Sequence, residues 1–318
     1  MAEPPSEPPF DFPGRAAEIF GGAPCDAVLA GDRALESTHP DEGLLTAVNL
    51  MWWRQVGALP VLDEGRLVGC FAEEDLLRVL GDRLLQGGAA AAPQPVWDGL
   101  LAKLTVRDAM TPVDRLPVAA SADSLLEALR TSCAPYGSQG RYLFLVDESA
   151  GGQSVRLASF RDVARFLTGL YDGGQEAVQS ALAQPIGRVR PGTRFGHEPN
   201  LVPLSVSVAE AVRAMWAGRR GYVLVTLPDA GPIGIFTRRD VLRACVRRNA
   251  DLAALRLTNL MSARVRTVTE TDTLCGLFKL MALESCRHMP LVDEWDHVQS
   301  VISMWEGVSL VVGSSERG

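Results

Sequence analysis

The sequence predicts an α+β protein built from four tandem β-α-β-β-α repeats that pack as two pairs. Three recurrences carry that prediction. A short apolar strand appears four times, as Ala58 to Asp63, Tyr142 to Asp147, Gly221 to Thr226 and His288 to Asp293. Each is followed by a turn and a second strand: Arg66 to Phe71, Val155 to Phe160, Pro232 to Phe236 and Val298 to Ser303. Short Gly-, Asp- or Ser-containing connections between such runs suit hairpins. Each second strand then enters an apolar helix that opens on an acid, Asp75, Asp162, Asp240 or Glu306. A hairpin with helices on one face leaves a large apolar surface, so the units are expected in pairs.

Residues 1–24 are rich in Pro, Gly and Glu and predict a flexible leader with one short helix around Arg15 to Phe20. The repeats are placed at 25–86, 100–172, 182–248 and 255–313. Upstream of each hairpin lies a helix with its own start signal. Thr38 precedes Leu44, Leu45, Val48 and Met51; Ser121 precedes Leu125, Leu126 and Leu129; Thr271 precedes Leu274, Leu277, Phe278 and Met281. Ser207-Val208-Ala209-Glu210 is a full capping box ahead of Val212, Met215 and Trp216. Gly-rich runs from Gly87 to Pro95 and from Asp172 to Pro185 separate repeats one, two and three. Residues 249–256 contain no Pro or Gly, which predicts a helical junction between repeats three and four.

Composition narrows the function. The chain has 318 residues, 47% of them hydrophobic, which fits a well-cored globular protein. Its net charge of −7 and pI near 5.3 argue against nucleic acid as the main partner, because phosphate backbones reward clustered Lys and Arg. No apolar run approaches the roughly 20 residues that span a bilayer, and Met1 to Pro5 has no signal-peptide character. The expectation is a cytoplasmic protein without membrane contact. Six cysteines without a C-x-x-C pair and four histidines without an H-x-x-x-H pattern signal neither a disulfide framework nor a metal site, and no cofactor is required.

The most informative stretch is Gly234-Ile235-Phe236-Thr237-Arg238-Arg239-Asp240. Thr237 and Asp240 stand three apart over one helix N-terminus, where unpaired backbone N–H groups attract anions. The spacing recurs as Ser159/Asp162 and Ser303/Glu306, while Ala72 replaces the hydroxyl in repeat one. The two extra carboxylates there, Glu73 and Glu74, would repel phosphates.

The repeat resembles the CBS motif, named after cystathionine beta-synthase, in four copies arranged as two Bateman modules. The residues that carry the resemblance are Leu104 to Pro112, Leu257 to Ser262, Arg287 to Asp293 and the stretch around Thr237. In repeat count the chain also resembles the gamma subunit of AMP-activated protein kinase. The resemblance implies that AMP, ADP, ATP or S-adenosylmethionine binds in clefts between paired repeats. It implies ribose contacts from Asp240, Asp162, Glu306 and Asp75, the acceptor-only carboxylate matching two adjacent hydroxyl donors. It implies phosphate contacts from Thr237, Ser159, Ser303, Arg238, Arg219, Arg220, Arg141, Arg287 and His288. The adenine would lie near Thr111, Pro112 and Val113, and near Ser262 and Ala263. Arg219 and Arg220 read equally as a solvated helix end.

The functional expectation is a non-catalytic regulatory protein that binds an adenine nucleotide as regulatory ligand and signals energy state to a protein partner, a kinase or other regulated enzyme, or acts as a homodimer. No Ser-His-Asp order, P-loop or paired-carboxylate cleft appears. The alternative is an interaction scaffold whose ligand sites have decayed. Nucleotide is expected in the module of repeats three and four before the module containing repeat one.

Overall fold

The computed structural model describes residues 10–29, 35–86, 96–133, 142–149, 152–189, 195–227, 231–246 and 252–313, with Gln86 and residues 96–98 as backbone only. A leading helix, α1 (Phe12–Phe20), precedes repeat one, which comprises α2 (Leu44–Trp53), β1 (Ala58–Asp63), β2 (Arg66–Ala72) and α3 (Glu73–Gln86). After α4 (Val96–Leu101), repeat two contains α5 (Val106–Ala109), β3 (Thr111–Pro112), β4 (Val118–Ala119), α6 (Leu125–Ser132), β5 (Tyr142–Ser149), β6 (Gly152–Ser159) and α7 (Phe160–Asp172). Helix α8 (Glu176–Leu182) leads to repeat three: α9 (Ile186–Val189), β7 (Leu201–Val202), α10 (Val208–Ala217), β8 (Tyr222–Thr226), β9 (Pro232–Thr237) and α11 (Arg238–Val246). Repeat four holds α12 (Leu274–Leu283), β10 (His288–Val292), β11 (Val298–Ser303) and α13 (Met304–Val312).

The hairpins β1–β2, β5–β6, β8–β9 and β10–β11 are antiparallel in one shared register. The first strand residue pairs with the last residue before the following helix: Ala58 with Ala72, Tyr142 with Ser159, Tyr222 with Thr237 and His288 with Ser303. Short lead-ins add parallel pairings, β4 on β5 and β7 on β8. The start of repeat two crosses over to repeat one, where β3 pairs with β2, and Ser262 of repeat four likewise pairs with Ile235 of repeat three. Each cleft thus mixes the helix start of one repeat with the lead-in of its partner.

Apolar surface is buried along two directions. Between sheets, Ala58, Cys70 and Ala72 meet Tyr142 and Phe144, joining repeats one and two, while Tyr222 and Leu224 meet Val301, joining three and four. Between helices the partners change. One core unites repeats one and three through residues such as Leu76, Leu80, Val212 and Met215. The other unites repeats two and four through Leu129, Leu167, Phe278 and Val308. At the first of these, α3 crosses α10 so closely that a Cβ on Gly81 would fall 2.3 Å from Cγ of Trp216, a place only glycine fits.

Three expectations need correction. The leader is not a loose tail over residues 10–24: Phe12, Ala16, Ile19 and Phe20 are buried in the core of repeats two and four. Their spacing places them on one helix face, which composition alone concealed. In the junction between repeats three and four, the described residues 252–256 hold a turn at 252–254 and no helix, and the rest of the expected span lies outside the described residues. Ser121, Thr271 and Thr38 lie upstream of the actual N-caps, which are Ser124, Thr273 and Gly43. Ser207 and Glu210 do form the capping box, with a Ser207 N–H to Glu210 Oε2 distance of 2.7 Å.

Candidate functional site

The helix that closes each repeat starts in the same way. One carboxylate oxygen accepts the N–H of the residue before the helix: Asp75 from Ala72 at 2.9 Å, Asp162 from Ser159 at 2.8 Å, Asp240 from Thr237 at 2.9 Å and Glu306 from Ser303 at 2.7 Å. The Ser159 and Thr237 hydroxyls donate to that same oxygen, at 2.6 and 3.0 Å. The second oxygen is left to face the cleft. An arginine one turn on approaches it in three repeats: Arg78 at 3.6 Å, Arg165 at 3.5 Å and Arg243 at 3.1 Å. This acid-to-arginine spacing of three is visible in the sequence and adds three cations to those proposed from the resemblance.

Around Asp162 the cleft opens into a cavity of 740 Å³, within the roughly 300–1,000 Å³ of small-molecule sites. Repeat two supplies Ser159, Arg161, Asp162, Arg165 and Arg156; repeat one supplies Glu36, Val56 and Ala58; repeat four supplies Arg287 and Trp305. Like charges crowd here. Burial, then Arg287 and Arg165, hold the Arg161 guanidinium below its usual pKa. Arg161 donates one N–H to the Ser285 carbonyl at 3.1 Å, but its Nε is buried without a hydrogen-bond partner, an arrangement that favours an acceptor. Of these residues the motif reading anticipated Ser159, Asp162 and Arg287. It missed Glu36 and Trp305, because a wall assembled from three repeats leaves no local pattern, and it passed over Arg161 and Arg165, which stand inside and one turn after the Ser159/Asp162 motif.

The other predicted residues are placed differently. Asp75 is 1% exposed and also accepts from Thr111 Oγ1 at 2.9 Å, so the lead-in threonine sits on the carboxylate itself. Arg78 and Arg243 donate to the lead-in carbonyls of Ala109 and Leu260 and tie these clefts together. Asp240 is buried. Glu306 lies 3.1 Å from Nδ1 of His197, and His288 packs its ring 4.9 Å from that of Tyr222. Arg219 is exposed in the left-handed region at φ 51°, just past the C-terminus of α10, and Arg220 follows it. Pro112, Val113, Ser262 and Ala263 are exposed. Arg141 lies outside the described residues. Among the described residues no group of three or more His, Cys, Asp or Glu is arranged to hold a metal, and no helix is long and apolar enough to cross a membrane.

Burial pushes Asp75 up to about 6, against the hydrogen bonds from Ala72 and Thr111 that favour its charged form. A carboxylate raised in the folded state takes up its proton more readily folded than unfolded, so stability falls as pH rises between about 4 and 6. Asp75→Asn is expected to remove about 2–3 kcal/mol of that pH-dependent loss. Melting temperatures of both proteins across pH 4 to 7 check this; parallel profiles contradict it.

The starts of α3 and α11 meet, and there the acids of repeat one find cations. Glu73 is 2% exposed and lies between Arg287 of repeat four, at 2.7 Å, and Arg239 of repeat three, at 3.3 Å. Glu74 pairs with Arg238 at 3.3 Å. Arg287 also reaches Tyr142 Oη at 3.4 Å, and it passes so close to Gly57 that a Cβ there would stand 2.5 Å from its Nη2. Interaction with Tyr142, then with Glu73 and Glu74, raises the Arg287 pKa further despite its burial. The repulsion of phosphate expected from Glu73 and Glu74 is therefore redirected: both carboxylates are spent on arginines of the other module.

Repeated hairpin-and-helix units, paired through their sheets and clamped through their helices, define a CBS-type α+β fold. The CBS domain family model matches residues 32–82 and 197–247, which hold the upstream helix, the hairpin and all or most of the closing helix of repeats one and three. The chain thus carries two segments that match the CBS domain, and repeats two and four share the register and helix placement of the matched pair. Among solved structures it is similar to a Methanocaldococcus jannaschii protein described as a candidate archaeal homologue of γ-AMPK, with TM-score 0.70, 16% identity, and coverage of 90% of this chain and 99% of that one. It is also similar to an uncharacterized conserved protein from Pyrococcus horikoshii, with TM-score 0.50, 18% identity, and coverage of 80% and 91%. A curated relative, an uncharacterized 17.7 kDa protein of Acidianus ambivalens, is 25% identical over 104 residues, and the match spans 33% of this chain and 62% of that protein.

Proposed function

We propose that the protein is a non-catalytic regulatory protein that binds an adenine nucleotide in the 740 Å³ cavity beside Asp162. One observation carries the reading: the Ser159/Asp162 helix start, the ribose-holding motif of the CBS resemblance, faces a cavity walled by Arg161, Arg165 and Arg287. Asp162 Oδ1 is the acceptor for the ribose hydroxyls, since Oδ2 is taken by Ser159. The guanidinium groups of Arg161, Arg165 and Arg287 receive the phosphates, with charge-assisted hydrogen bonds. The apolar side chains of Leu29, Leu35, Val56 and Ala58 are the surface for the base.

Because Arg287 comes from repeat four, a bound phosphate links the two modules. A ligand that contacts both favours one relative arrangement over another, which is the requirement for a signal that a protein partner reads. The clefts at Asp75 and Asp240, where Thr111 donates to Asp75 and Arg78 and Arg243 are tied to the lead-in carbonyls of Ala109 and Leu260, serve as structural joints in this reading. That assigns the scaffold role to two clefts and the sensing role to one.

Isothermal titration with AMP, ADP, ATP and S-adenosylmethionine tests the proposal. Saturable binding of at least one is expected, weakened by about tenfold or more in Asp162→Ala, as for loss of charged hydrogen bonds. No binding at millimolar concentration, or unchanged binding by the variant, overturns it.

A further inference from the structure

Arg287 faces the cavity, yet it already has an anion. Its Nη1 donates to Glu73 Oε2 at 2.7 Å, and Glu73 stands behind the cavity wall, not in it. Glu73 is the first residue of α3. The matching positions of the other three repeats are Phe160, Arg238 and Met304, so repeat one alone places a carboxylate there. Its other oxygen faces Arg239, which is further held by the Val56 carbonyl and by Gln55 Oε1, both at 2.8 Å. Arg239 therefore keeps two neutral acceptors if Glu73 changes. The contact from Arg287 to Tyr142 is long, at 3.4 Å, so Glu73 is the short, charged partner of Arg287.

We propose that Glu73 is a specificity-determining residue of the cavity: a tethered carboxylate that competes with ligand phosphate for Arg287 and so sets how much negative charge the ligand gains by carrying phosphates. This rests on reading the cavity as a nucleotide site. The physical reason is that a guanidinium paired with a buried carboxylate presents little net positive charge to a second anion. With Glu73 neutral, a phosphate at the cavity becomes the counter-ion that Arg287 lacks. The benefit grows with ligand charge and is absent for a neutral nucleoside. Exchange of Arg287 between Glu73 and phosphate also explains how occupancy in repeat two reaches the joint between repeats one, three and four, since Glu73 is the residue on which Arg287 and Arg239 converge.

The test is titration of the full chain with ATP, AMP and adenosine in the wild type, Glu73→Gln, and Glu73→Gln combined with Arg287→Gln. Glu73→Gln is expected to tighten ATP by about tenfold, AMP by less, and to leave adenosine unchanged, the scale being that of one hydrogen bond to a charged group. The gain for ATP is expected to vanish in the double variant, which restores charge balance. A uniform change for all three ligands, no change, or weaker ATP binding overturns the proposal. If Glu73→Gln alone does not fold, ATP but not adenosine must restore its far-ultraviolet circular dichroism, and failure of that rescue overturns the proposal as well. Absence of binding by the wild type and by Glu73→Gln alike removes the nucleotide reading itself; wild-type binding with an unchanged Glu73→Gln profile removes only the role of Glu73.

Discussion

Glu73→Ala is expected to destabilise the protein by about 3–5 kcal/mol, the range for breaking a buried ion pair by removing one partner. The size follows from what is left behind. Arg287 keeps its long contact with Tyr142 and the more distant charge of Glu74, which offset the desolvation of its guanidinium less well than the 2.7 Å pair with Glu73. Arg239 retains Val56 and Gln55 and contributes little to the loss. Three repeats meet at this carboxylate, so the loss is expected to appear as a lower melting temperature for the whole protein, by about 4–8 °C at the usual unfolding entropy per residue for a chain of 318 residues. Thermal melts of the wild type and Glu73→Ala at neutral pH check this. A variant within about 1 kcal/mol of the wild type would show that the central pairs are as dispensable as surface salt bridges.

Phe278→Ala is expected to have an effect of similar size by a different route. Phe278 is fully buried in the core of repeats two and four and packs against Gly307, where a Cβ would stand 2.6 Å from its ring. Removing the ring leaves a cavity that rigid helices on both sides cannot close, at about 3–5 kcal/mol. Helix α7, whose first turn carries Arg161 and Asp162, packs on α12, which carries Phe278. The variant is therefore also expected to lose the nucleotide affinity of the wild type. Chemical denaturation at 25 °C measures the stability term; a loss below about 1 kcal/mol would mean the core repacks around the gap.

The parts of this fold that were legible in the sequence are those written locally. Hairpins announce themselves through short turns between apolar runs, and the closing helices through an acid three residues after the last strand position, as at Thr237 and Asp240. Four copies of the same local signal were enough to reveal the repeats. Pairing across the molecule left no such trace. Glu73 meets Arg239 and Arg287 at sequence separations of 166 and 214 residues, and nothing in the neighbourhood of any one of them identifies the others.

That gap bears on where we propose the nucleotide sits. Repeat one was expected to be the poorest host because of Glu73 and Glu74, yet the cavity at Asp162 borrows from repeat one its lead-in and first strand, not those acids. Conversely the motif at Thr237 and Asp240 is well formed, but Arg238 is committed to Glu74, and Arg243 to Asp240 and the Leu260 carbonyl. A motif marks where a helix begins; whether space remains in front of it depends on the partner repeat. The leader misled for a related reason, since its prolines and glycines flank the helical face formed by Phe12, Ala16, Ile19 and Phe20.

The most direct test is a crystal structure of the full chain grown with millimolar AMP. Density for the nucleotide is expected in the cavity of repeats one and two, with the ribose on Asp162 and the phosphate among Arg161, Arg165 and Arg287. Nucleotide bound beside Asp75 or Asp240 with the Asp162 cavity empty would contradict the account.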